Sequence, residues 1–127
     1  MADSILVGPE IDAGAALLKA LDAAGLKVKV AMWAVLSEYE DWRIVLASPQ
    51  FDRAGLQGQY GLIHDALDNA GFPVERVPIC VVVRMTDPFV RQLRRRFGKS
   101  KNVEGRRLSG HLFGDRYIED AYVYRIV

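Results

Sequence analysis

Apolar residues recur along this chain with two periods, and each switch between them marks a new element. Over residues 13–24, Leu17, Leu18 and Leu21 fall at helical spacing with alanine between them, which predicts a helix. Asp12 is placed as its N-cap, and Gly25 with Leu26 behind it as its stop. A period of two then takes over. Val28, Val30, Met32 and Ala34 alternate with Lys27, Lys29, Ala31 and Trp33, and residues 42–48 set Trp42, Ile44 and Leu46 on one face. The polar stretch between the two runs is short, so they read as an antiparallel hairpin. Pro49 ends it, because proline cannot donate to a ladder.

A second helix is expected from near Gly58 to Ala70, with Tyr60, Ile63, Leu67 and Ala70 as its stripe and Gly71-Phe72-Pro73 as its close. Residues 77–85 are apolar on both faces, which predicts a central strand covered on both sides. A helical connection from the preceding strand makes the two parallel. Asp87-Pro88 opens a third helix, with Asp87 capping and proline at the first helical position. Its buried stripe is Phe89, Val90, Leu93 and Phe97, and Gly98 ends it. Residues 99–105 form a polar loop. The chain finishes on a second hairpin, residues 106–113 and 116–127 about a Gly114-Asp115 turn that suits type II′. The order α-β-β-α-β-α-β-β defines a single α+β domain (α/β-like) over residues 1–127, a five-stranded mixed sheet with about three helices packed on it.

Half of the 127 residues are apolar, enough for one core without staples. No apolar run approaches the roughly 18–20 residues that span a bilayer, and Met1-Ala2-Asp3-Ser4 lacks the basic start of a secretory leader. The single cysteine, Cys80, excludes an internal disulfide and sits in an apolar run as a small buried hydrophobe. A cytoplasmic location is expected.

Charge changes the picture most. The chain nets +1, yet residues 89–107 alone net +7, leaving −6 for the remainder. Arg91, Arg94 and Arg95 fall on the helix face opposite the apolar stripe, and Lys99, Lys101, Arg106 and Arg107 continue the block. Arginine grips phosphate bidentately and lysine adds a point charge. This anion-binding set predicts a non-enzymatic binding or regulatory module for nucleic acid or an acidic protein partner. The same charges also suit a solvated helix face, because cations in a last turn are favoured by the helix dipole.

Other chemistry is thinner. Gly98-Lys99-Ser100 resembles the end of a phosphate-binding loop, but Leu93 stands where the pattern needs glycine, and the tripeptide follows a helix. A small metal-independent ribonuclease or toxin-like enzyme would draw on His111, Arg107, Tyr117 and Glu119. Glu119 and Asp120 interrupt a β-prone strand and read either as functional groups or as a bulge. In a two-residue hairpin, Ser109 faces Asp120 and Gly110 faces Glu119. His64 reads as a partly buried structural residue. No metal and no cofactor are expected, since the histidines lack partners at ligand spacing. A third reading is an immunity- or antitoxin-like partner subunit. A homodimer is plausible through the C-terminal strand as an edge, or through Trp33 and Val35 if no helix covers them.

Overall fold

A computed structural model of the chain describes residues 6–127. The segment 1–4, on which the expectation about a leader rests, lies outside the described residues. Helix α1 spans Gly8–Ala23, strand β1 Val30–Leu36, β2 Arg43–Ala47 and α2 Pro49–Asn69. A 3-10 turn at Val74–Arg76 leads to β3, Cys80–Val82, and α3 follows at Pro88–Phe97. Strands β4 (Arg107–Leu108), β5 (His111–Phe113) and β6 (Arg116–Ile126) complete the order. The sheet runs β3-β2-β1-β6-β4, with β5 also paired to β6. The domain is α+β with a mixed sheet and three helices, as read from the sequence. β4 and β5 lie end to end along β6, so the five expected strands become five to six.

Both faces of the sheet are covered. Val30, Met32, Ala34 and Leu36 of β1 pack with Phe89, Val90, Leu93 and Phe97 of α3. Ala31, Trp33 and Val35 point the other way, into a core with Leu17 and Leu21 of α1 and Ile63 and Leu67 of α2. Trp33 and Val35 are therefore not an open patch. Every residue of β1 is buried, and each large side chain so placed stabilises the fold by about 1.5–3 kcal/mol.

Several expectations need correction. Residues 77–85 do not form the central strand: β3 is three residues long and lies at the sheet margin, pairing only β2, in parallel. Nor is the run doubly covered as expected: β3 is only partly buried, and Val77 and Ile79 before it are exposed. An apolar run says nothing of its lateral neighbours. The central positions go to β1 and to β6, which lies between β1 and the β4–β5 margin, so the C-terminal strand is not an edge along the part that pairs β4 and β5, Arg116 to Tyr122. Asp12 caps nothing: α1 begins five residues before residue 13, with Val7 as N-cap and Pro9 in its first turn. α2 is two helical stretches joined across a kink at Gly55, whose φ of 74° belongs to glycine. The second stretch starts close to Gly58 and is capped at Ala70, as expected, while the first, from Pro49 with Ser48 as its cap, lies outside the expectation. Gln59 and Ala66 take the buried positions expected for Tyr60 and Ala70, and His64 is exposed. The two helix stops hold: Leu26 N donates to Leu21 O at 3.2 Å and Phe72 N to Leu67 O at 2.9 Å, behind Gly25 and Gly71.

β6 carries two irregularities against β1, between its partners Ala31/Met32 and Val35/Leu36. At the first, Tyr124 is the extra residue, so Tyr124 and Arg125 both reach the α1 side. Tyr124 Oη donates to Ile11 O at 2.5 Å, and Arg125 makes two 2.8 Å bonds to Asp22. Trp33 Nε1 donates to Glu10 O at 3.1 Å beside them. This close seating requires Gly14, because a Cβ there would collide with Tyr124 Oη and Trp33 Nε1. Gly14→Ala is expected to destabilise the fold by about 1–3 kcal/mol despite the better helix propensity of alanine, read as a lower urea midpoint at unchanged slope. An equal or higher midpoint would contradict this packing.

Candidate functional site

Helix α3 is short and well specified. Asp87 Oδ1 accepts from Phe89 N at 2.9 Å, Pro88 starts the first turn, and Gly98 ends the helix. Asp87 Oδ2 also accepts from Arg116 at 3.3 Å, and Arg116 reaches Glu38 at 2.7 Å. Burial works against the Arg116 charge, but the carboxylates of Asp87 and Glu38 more than offset it, and its pKa rises above the usual value. Gly114 N donates to Gln92 Oε1 at 2.9 Å, pinning the β5–β6 turn to the helix. There Gly114 has φ 61°, and Asp115 stays out of the left-handed region, as a type II′ turn requires.

With four residues of α3 buried against the sheet, the rest face outward. Arg91, Arg94, Arg95, Gly98, Lys99 and Val127 line a shallow groove of about 400 Å³. Arg94 Nε donates to Val127 O at 2.6 Å, which anchors one wall. Among the described residues, Arg91, Arg95, Lys99 and Lys101 have no ion pair and no side-chain hydrogen bond. Four of the seven cations singled out in the sequence therefore share one groove, and Lys101 follows in the next turn. Arg106 lies over the Phe97 ring at 5.2 Å, at the end of the same helix.

Arg107 is separate. Its neighbour Leu108 packs on the α3 side, while Arg107 lies 5.9 Å over Trp42, which belongs to the opposite core. There it is ion-paired with Asp120 at 3.1 Å. Position 120 reads correctly as part of an irregular strand: Val35 pairs Asp120 and Leu36 pairs Ile118, so Glu119 is the extra residue of a bulge. Leu108 pairs Ala121 and His111 pairs Ile118, the register expected on either side, but Ser109 and Gly110 themselves fall out of the ladder, and the expected single strand over residues 106–113 is broken there.

The hairpin does not assemble the alternative catalytic set. His111 stacks on Phe113 at 6.0 Å, on the α3 side, and its Nδ1 contacts Ser109 O at 2.7 Å. Tyr117 pairs Leu112, which alternates to the other face, where Arg107 also lies. No hydrogen bond joins any two of His111, Arg107, Tyr117 and Glu119. Among the described residues there is no group of three or more His, Cys, Asp or Glu that suits a metal ion, and no helix long and apolar enough to cross a membrane.

Sequence reasoning missed a larger cleft of about 840 Å³ between α1 and residues 70–78. Glu10, Asp12, Glu75, Trp33 and Phe72 are among its lining residues, with Arg76 the one cation of that lining. Its walls come from segments about sixty residues apart in the chain, so no local pattern announces it. Compared with protein-family models, curated proteins and solved structures, the chain matches none.

Cys80, expected to be buried, is only partly so; it donates to Pro78 O at 3.5 Å, and burial pushes its thiol up from 9.0 to about 11. Tyr124 is likewise pushed up, by burial, to about 12. Both groups are held in their neutral forms by the fold. Their contribution to stability is complete below pH 9 and is lost as pH climbs through the folded values. Native protein at pH 8 is therefore expected to react slowly with a thiol reagent, and urea-unfolded protein fast. Thermal stability should fall above pH 9, and less steeply in Cys80→Ala. Fast native labelling would overturn the buried-thiol assignment.

Proposed function

We propose that this domain is a non-enzymatic binding module whose α3 groove holds a polyanionic partner. The observation that carries the reading is the gathering of Arg91, Arg94, Arg95 and Lys99 around one groove, with Arg91, Arg95 and Lys99 unpaired among the described residues. Unpaired cations in a common groove add their fields, whereas cations held to their own carboxylates do not. A binding rather than catalytic role is supported by the separation of His111 from Arg107 and Tyr117 across the sheet. It is supported also by the character of the groove, which holds cations and no acid–base pair.

Retention on a heparin column, with a salt gradient, tests the reading. Wild type is expected to elute well above physiological salt. The triple variant Arg91→Gln, Arg95→Gln, Lys99→Gln should elute near the void with its thermal midpoint unchanged, because among the described residues those side chains make no ion pair or hydrogen bond. Replacement of Arg53, an exposed cation on α2, serves as the charge control and should change elution little. Equal elution of wild type and the triple variant would remove the groove from the argument.

A further inference from the structure

Resting on that reading, we infer that the occupant of the α3 groove is the phosphodiester backbone of duplex nucleic acid, gripped without base contacts. Three features of the groove select this class of polyanion.

The first is the absence of a cradle for a compact phosphate. The groove lies at the C-terminal end of α3, where the helix dipole opposes an anion. The N–H groups of Gly98 and Ser100 are already committed to Arg94 O and Phe97 O, at 2.8 and 2.9 Å. Attraction therefore rests on side-chain cations spread along the helix and does not converge on one point. From Arg91 to Phe97 the rise of about 1.5 Å per residue gives a line of about 9 Å, and Lys99 extends it into the turn after the helix. A duplex presents one charge per roughly 1.7 Å of its axis, about twice the density of one strand. A patch of this length thus lies in the field of about twice the linear charge when it faces a duplex.

The second is the absence of a stacking platform. Single-strand binders compensate for lower charge density by stacking bases on exposed aromatic rings. Phe89 and Phe97 of α3 are buried against the sheet. The exposed tyrosines, Tyr60 and Tyr117, lie on α2 and on the other face of β6.

The third is the absence of an apolar centre. Protein interfaces draw most of their affinity from buried aromatic and aliphatic anchors. The groove offers only Val127 among its lining residues. The exposed apolar side chains Val74, Val77 and Ile79 belong instead to the segment before β3.

Fluorescence anisotropy with four probes tests the inference: DNA and RNA duplexes of about 20 base pairs, a single strand of the same length, and a polyglutamate peptide. A duplex is expected to bind at least about tenfold more tightly than the single strand or the peptide, whatever its base sequence. Whichever duplex binds more tightly identifies the source. Four phosphate contacts imply a loss of affinity on the order of 100-fold between about 50 and 200 mM salt. The triple variant Arg91→Gln, Arg95→Gln, Lys99→Gln should abolish most of that dependence. Single-strand or peptide binding equal to duplex binding would overturn the duplex assignment while leaving a polyanion site. Failure of all four probes to bind at low salt would overturn the polyanion reading itself.

Discussion

The two-sided burial of β1 is the constraint on which the remainder of the molecule rests. A strand with every residue out of water needs a helical layer on each face. α1 and α2 supply one layer together. α3 supplies the other alone, with ten residues. To do so it commits Phe89, Val90, Leu93 and Phe97 to the sheet, and helical periodicity then leaves no choice for Arg91, Arg94 and Arg95. They point away from the core together. The clustering of charge on this face is thus a by-product of how little helix is available to close it.

The same face is braced from its other end. Asp87 both caps α3 and receives Arg116, which also holds Glu38 in the β1–β2 turn. Gln92 fixes the β5–β6 turn through Gly114. Two segments distant in sequence, the β1–β2 turn and the β5–β6 hairpin, therefore meet at α3, while the cations towards its end face solvent. Firm support at one end and open charge at the other agree with the proposed binding role, in which side chains would meet a partner without rearrangement of the helix.

Much of this was legible in the chain. The Asp87-Pro88 start, the four-residue stripe of α3 and both glycine stops are local signals, and each matches. So does the alternation in β1, because a period of two survives whichever face is deeper. What failed was non-local. Nothing between residues 77 and 85 says that β3 has one neighbour instead of two. The early start of α1 is hidden because Gly8 and Pro9 read as breakers, although proline is at home in a first turn. The front half of α2 is hidden by Gly55, where the helix bends and the apolar phase resets. In the basic block, helical spacing predicted which residues of α3 converge, but strand alternation sends Arg107 to the opposite face, where Asp120 meets it. That separation depends on sheet register, which charge counting along a chain does not contain.

The interruption at Ser109 and Gly110 reaches beyond the hairpin. It breaks one margin of the sheet into pieces of two and three residues, and the other margin, β3, is bounded by Pro78 and followed by Arg84. Neither side offers the long, flat run of free amides and carbonyls that templates cross-β growth. A chain that is half apolar thereby keeps most of its most β-prone segment, β6, between neighbours, and the irregularity of its borders works against fibril growth.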